Sequence, residues 1–311
     1  MRIAITGATG FIGQYMVRGM LGAGHQVRAL ARPGRASALP QVEGPAYEVH
    51  EGDITSYDSI KGFLADVDLL LHLASAHDHF TEEQMRAVNV QGTENLIRDA
   101  KASASPEMRL WVISSAVIGA PVYGYYRDSK RVQEKIIRGS GFEWASFRPT
   151  LVYGIGDHRH TAPLLRKCAR KGGSIWVPHD GRSKINPVHV DDVVSAVLKF
   201  FDFNRGVDCV YELAGPDGIS YNDFLDHTIR AAGGSVKRRN IPRSLVDKFI
   251  FLKSLVMDTT NDRRASAYFT LHHDHDITNA VFELGWQPRT YAEGIVQAAQ
   301  GDWWKTPVAV S

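Results

Sequence analysis

The eight residues TGATGFIG (6–13) follow the apolar run RIAIT (2–6) and open a stretch with helical spacing. Gly7, Gly10 and Gly13 stand in the order GxxGxxG. The first glycine permits a tight turn, and the second lets backbone N–H groups approach a pyrophosphate. The third allows close packing of helix on strand while the helix N-terminus faces the anion. Glycine patterns recur by chance. This one is specific through its context, with a strand before it and a helix after it. It predicts a dinucleotide site made by Gly7, Thr9, Gly10, Phe11, Ile12 and Gly13.

Outward from this loop, short apolar runs alternate with helical patterns: QVRALA, YEVHEGD, VDLLLHLA, RLWVISS and EWASFRP read as strands. Runs apolar on both faces imply a parallel sheet covered by helices. The expected fold is therefore α/β, a Rossmann doubly wound parallel sheet with a smaller, mostly helical C-terminal substrate lobe. The expected domains are 1–151 and 186–213 for NAD(P) binding, and 152–185 and 214–311 for substrate. The second strand carries no acid to hydrogen-bond ribose hydroxyls. Arg32 stands where it should end, with Arg35 close behind, so NADP(H) is favoured and NAD(H) is the alternative.

The 311 residues contain 36 Lys and Arg against 34 Asp and Glu, with no basic block of the kind a phosphate backbone requires, so nucleic acid is not an expected partner. KRR (237–239) reads as a solvated loop. Cys168 and Cys209 are too few for a disulfide framework and lack metal-ligand spacing. Met1 runs directly into a strand pattern without a leader, and LVDKFIFLKSLVM (245–257) is too short and too charged to span a bilayer. The expectations are a cytoplasmic protein without a membrane span, and a helix over 245–257 that covers a core, with a partner or membrane-surface contact as the alternative.

In YGYYRDSKRVQEKII, starting at Tyr123, Tyr126 and Lys130 are four apart, so on a helix both lie on one face. Tyr125 would meet Ser129 at that spacing and Tyr123 would meet Arg127. Only Tyr126 joins a titratable hydroxyl to a lysine.

The chain resembles the extended short-chain dehydrogenase/reductase (NAD-dependent epimerase/dehydratase) family over nearly its whole length. The landmarks occur in order: TGATGFIG, GDI (52–54), HLAS (72–75), NVQGTENLI (89–97), VISSA (112–116), Tyr126 with Lys130, RPTLVYG (148–154), PVHVDDV (187–193) and LGWQPRTYAEGI near the end. The resemblance implies that Asp53 and Ile54 flank the adenine and that Leu73, Ala74 and Ser75 line the cofactor path. Pro149 and Val152 also join the cofactor site. It further implies that Lys130 holds the nicotinamide ribose and draws down the pKa of Tyr126, a phenol that titrates near ~10 when free. Tyr126 then exchanges a proton with the substrate oxygen, and a serine hydroxyl binds that oxygen. Alignment with the family's SSA gives Ser115, whereas counting back from Gly119 gives Ser114; Ser115 is the choice.

Departures from the family narrow the chemistry. Ala116 and Val117 replace the acidic pair of sugar-nucleotide dehydratases, and Leu151 replaces the asparagine that many epimerases carry before VYG. The expected reaction is reversible hydride transfer to a ketone or secondary alcohol, as in the dihydroflavonol-reductase and 3β-hydroxysteroid-dehydrogenase-like members. The rivals are a nucleotide-sugar epimerase with retained cofactor and an NADP-binding regulatory or structural protein without turnover. HDH (77–79), DHRH (157–160) and HHDH (272–275) lack metal spacing, so no metal is expected. His77, His79, His158 and His160 are candidate substrate contacts, and a homodimer is expected from the resemblance.

Overall fold

The computed structural model describes residues 1–42, 44–77, 79–121, 124–203, 208–255 and 275–307. Two compact units emerge. The first comprises Met1–Pro149, Val193–Leu213 and Thr278–Trp286, and the second Thr150–Asp192, Ala214–Ile277 and Gln287–Ser311.

In the first unit the elements are β1 (Arg2–Thr6), α1 (Phe11–Gly22), β2 (Gln26–Ala31), β3 (Tyr47–Glu51), β4 (Leu69–His72), α2 (Gly92–Ser103), β5 (Arg109–Ile113), α3 (Tyr125–Arg138), β6 (Glu143–Pro149) and β7 (Cys209–Leu213). The seven strands run in the order β7-β6-β5-β4-β1-β2-β3. Every neighbouring pair is parallel. This is the doubly wound arrangement, and its order reverses between β1 and β4, where such sheets bind ligands beyond their carboxyl ends. Register sets Thr6 opposite His72 and His72 opposite Val112, so three strands finish level at that edge.

Both faces of the sheet are covered. Ala4, Leu70, Leu110 and Val112 pack against Phe63 and Leu96 on one side. On the other, the Trp111 ring meets Phe147 and Phe200 edge to face at 6.1 and 4.8 Å. Such pairs add about 0.5–1.5 kcal/mol beyond the area they bury.

The second unit has its own core, in which Leu165, Cys168, Phe224, Tyr291 and Ile295 are buried together. These residues come from helices Thr161–Cys168, Tyr221–Ala231 and Tyr291–Ala298. KRR is not a loop: Lys237–Ile241 is a strand parallel to Ser174–Pro178. Its charges stay satisfied because Arg238 forks onto Asp226 at 3.1 and 3.2 Å while Arg239 reaches Ser174 at 3.0 Å.

The helix expected over 245–257 spans Arg243–Ser254, but it does not cover a core among the described residues. Only Ile250 is buried, whereas Phe249 and Leu252 are 65% and 53% exposed. Leu245, Phe249 and Leu252 form a stripe at helical spacing, and that stripe faces solvent. Val256 and Met257 lie outside the described residues.

The units also divide elsewhere than expected. Thr278–Trp286 joins the first unit because the Tyr211 hydroxyl donates to Glu283 at 2.6 Å and Trp286 Nε1 donates to Ser195 at 3.2 Å. Residues 186–192 join the second, where Val188 and His189 pair with Val152 and Tyr153 and the Thr150 hydroxyl donates to the Asn186 carbonyl. No helix among the described residues is long and apolar enough to cross a membrane.

Candidate functional site

β1 ends in a loop that only glycine can form. Gly7 has φ +69°, and a Cβ there would stand 2.7 Å from the backbone of Leu73 and Ala74, where the chain leaves β4. A Cβ on Gly13 would lie 2.1 Å from the Gly7 carbonyl oxygen. α1 starts at Gly10 with no side-chain cap and no acid in its first turn. Its first N–H groups and positive dipole end therefore have no acid within their own turn. A cradle that a Cβ would fill, beneath an uncapped helix N-terminus, fits the pyrophosphate of a dinucleotide. Thr9, Phe11 and Ile12 lie half-buried in the same turn.

Arg32 is exposed just beyond β2. Asp53 is half-buried and spends one carboxyl oxygen on the Thr55 amide and hydroxyl, at 2.9 and 2.8 Å. Ile54 is 5% exposed. Its side chain fills the space that a Cβ on Gly92 would need. Leu73, Ala74 and Ser75 are half-buried, and the Leu73 and Ala74 amides donate to the Thr6 hydroxyl at 3.2 Å each. Pro149 ends β6 within the first unit, whereas Val152 belongs to the second.

α3 carries Tyr126 and Lys130 one turn apart. Lys130 is 1% exposed, and its ammonium donates to the Ile113 carbonyl at 3.2 Å and to Gln133 Oε1. Burial lowers its pKa to about 8, although the nearby Glu134 carboxylate acts the other way. Burial would raise Glu134, but hydrogen bonds from Arg148 and Ser146, with the Arg148 charge, hold it at about 2. Arg148 grips that carboxylate at 2.7 and 2.9 Å.

The two serines after β5 diverge. Ser114 is 5% exposed and lies on the Glu134 side, although no hydrogen bond of ordinary geometry reaches its hydroxyl. Ser115 is half-buried, and its Oγ accepts from the Val117 amide at 3.3 Å where a short 3₁₀ turn begins. Beside Tyr126 stands the His77 ring, 5.0 Å between centroids, and His79 stacks beyond it at 6.4 Å. Both histidines are exposed.

His158 and His160 lie in the second unit. The His158 ring packs edge-on against Trp303 at 5.5 Å, and the His160 amide donates to Asp157 at 3.1 Å at the start of a helix. Among the described residues no group of three or more His, Cys, Asp or Glu could hold a metal ion. Tyr123, Asp78, His272, His273 and Asp274 lie outside the described residues. Burial pushes the thiols of Cys168 and Cys209 up to about 11, which makes neither a ready nucleophile.

Several residues not singled out by the sequence reading complete the surroundings. His72 is 1% exposed and contacts Thr6 Oγ1 at 2.6 Å through Nδ1. Its Nε2 lies 3.1 Å from the Thr93 hydroxyl and 3.0 Å from Gln133 Nε2. Burial and the Lys130 charge hold its pKa at about 3, so it is neutral. Asn89, in a one-turn π-helical segment (Ala87–Gln91), uses its amide to bond Ala76 N at 2.7 Å and Ala76 O at 2.9 Å. His72, Asn89 and Thr93 fall inside the landmarks HLAS and NVQGT and could have been taken from them. Gln133 falls in no landmark, and only its contacts single it out.

An uncharacterized protein of Saccharomyces cerevisiae is 26% identical over 302 residues, which cover 93% of this chain and 95% of the relative. The 2-alkyl-3-oxoalkanoate reductase of Stenotrophomonas maltophilia is 25% identical over 278 residues, 82% of this chain and 80% of that one. Among solved structures, UDP-glucuronic acid 4-epimerase from Bacillus cereus in complex with NAD has a TM-score of 0.74 at 16% identity, covering 98% of this chain and 97% of that one, which is a likeness of fold. The NAD dependent epimerase/dehydratase family matches residues 3–214, more than half of the chain. The protein therefore belongs to that family, a group of pyridine-nucleotide-binding enzymes of the extended short-chain dehydrogenase/reductase type.

Proposed function

We propose that the protein is a nicotinamide-dependent reductase that interconverts a ketone and a secondary alcohol, with NADP(H) the preferred cofactor. The observation that carries this reading is the environment of Lys130. Its ammonium is buried one turn from the Tyr126 phenol and bonded to a carbonyl and an amide rather than to a carboxylate. A positive charge so placed favours the phenolate and brings Tyr126 toward a working proton affinity.

Gly7, Gly10 and Gly13 with the α1 N-terminus would hold the pyrophosphate, Arg32 a 2′-phosphate, and Lys130 the nicotinamide ribose. The cofactor supplies or accepts the hydride. Tyr126 gives its phenolic proton to the carbonyl oxygen in reduction and takes it back from the alcohol in oxidation. Ser115, rather than Ser114, donates to the same oxygen, because Ser114 is buried on the Glu134 side. His77 and His79, exposed beside Tyr126, contact the substrate. The reductase name of the Stenotrophomonas relative and the absence of an acidic pair at Ala116 and Val117 support reduction over dehydration.

Tyr126→Phe tests the reading. Turnover of ketones with NADPH should fall by roughly 10²–10⁴ while NADPH binding persists; an indifferent rate would sink it. Nucleotide released on denaturing the purified protein separates reductase from epimerase. Near-stoichiometric NAD⁺ would indicate an internally recycled cofactor and overturn the Arg32 argument.

A further inference from the structure

Gln133 lies three residues after Lys130 on α3, is 0% exposed and has both ends of its amide engaged. A lysine ammonium can only donate, so the amide oxygen must face Lys130. Its nitrogen then donates to Thr93 Oγ1, 3.2 Å away, which can accept because its own proton goes to the Asn89 carbonyl at 2.9 Å. The same nitrogen lies 3.0 Å from His72 Nε2, and His72 is held on its other side by Thr6 Oγ1, 2.6 Å from Nδ1.

We propose that Gln133 is a positioning residue for Lys130: its amide, oriented by Thr93 and packed against His72, presents oxygen to the ammonium and thereby fixes where the remaining N–H points. Of the three ammonium donors, Ile113 and Gln133 take two, and one is left for the nicotinamide ribose. This rests on the reductase reading for the use made of that donor, but not for the hold itself. The titratable and charged groups around Lys130 are Tyr126 and Glu134 on its own helix, His72 from β4, and Arg148 from β6, which is paired to Glu134. β5 and α2 contribute the neutral Ile113 carbonyl and Thr93 hydroxyl. A neutral acceptor keeps the buried ammonium charged without placing a carboxylate beside His72. The lowering of Lys130 to about 8 puts its loss of charge within reach of ordinary assays.

The test uses the full chain with ¹⁵N-labelled lysine, Lys130 being assigned against Lys130→Met. Gln133→Met should move the Lys130 titration to lower pH and Gln133→Glu to higher pH, by about one unit each. The alkaline limb of kcat/KM should follow the Lys130 titration in both variants. Opposite shifts with an unresponsive limb would uphold the hold on Lys130 and discard the reductase reading. Shifts of the same sign, or no shift, would overturn the proposal and leave Gln133 a space-filling residue.

Discussion

Around Lys130 an ammonium, an amide, an imidazole and two hydroxyls hand hydrogen bonds from one to the next. Around Arg289, in the second unit, the guanidinium holds Asp192 at 2.9 to 3.1 Å and also bonds Gln297, yet buried atoms nearby are left over. Among the described residues the Tyr153 hydroxyl and His189 Nε2 find no hydrogen-bond partner, although their rings meet edge to face at 5.2 Å. The closed cluster sits where sheet register delivers Thr6, His72 and Val112 level with one another. The open one is assembled from two-residue strands, a helix start and a loop. Regular backbone makes complete satisfaction attainable, and irregular backbone leaves slack.

If the two clusters divide labour between chemistry and scaffolding, removing their cations should have opposite effects. Arg289→Met strips the guanidinium from Asp192, 7% exposed at its side chain, while the residue-289 amide stays on it, and should cost about 3 kcal/mol of stability, read by chemical denaturation, with turnover per folded molecule retained. Lys130→Met should abolish turnover yet raise the melting temperature at pH 7. Its folded pKa near 8 lies below the ordinary lysine value, so the ammonium, still the major form at pH 7, is costlier in the fold than in the unfolded chain. A large loss of stability in Lys130→Met would end the contrast.

Acid should weaken both clusters alike. His72 and His189 are each held at about 3, mainly by burial, against an unfolded value of 6.5. Between those values the unfolded chain binds more protons than the folded one. Stability is therefore full above pH ~6.5 and falls as pH drops toward ~3, by at most about 5 kcal/mol per histidine. His72→Asn should flatten that dependence in part; an unchanged profile would show that His72 is not buried neutral. Glu134 adds a second loss lower down, between the ordinary glutamate value of 4.5 and its folded value of about 2, because its folded pKa is depressed.

The smallest effects concern the slack itself. A Cβ on Gly294 would lie 2.0 Å from the Tyr153 hydroxyl, so Gly294→Ala should destabilise by about 1–3 kcal/mol. Tyr153→Phe removes an unpartnered buried hydroxyl and should be neutral or stabilising by about 1 kcal/mol. In the double variant most of the Gly294→Ala cost should vanish. Additive energies in that cycle would mean the two do not touch.

RIAIT, QVRALA and EWASFRP became strands with those limits because both of their faces are apolar and nothing else in the chain competes for that pattern. The glycine loop, Tyr126 and Lys130 were legible for a related reason: backbone sterics and helical spacing act over a few residues. Gln133 was not legible. It sits among Arg, Val and Glu in a run that looks solvated, and only the docking of α3 on the sheet buries it. KRR misled because its side chains are charged while its backbone pairs, and residues 278–286 because helical patterning carries no information about which unit receives the helix.

The Asn89 amide accepts from Ala76 N–H and donates to Ala76 C=O, as a neighbouring strand would. One side chain thus protects a residue four positions beyond the end of β4. In hydrogen exchange the Ala76 amide, though in a loop, should exchange about as slowly as those of Leu70 and Leu71. In Asn89→Asp, which keeps the volume but loses the donor to Ala76 C=O, it should exchange with the open chain around His77. A single amide group decides whether the segment carrying Ser75 and His77 breathes with the surface or with the core.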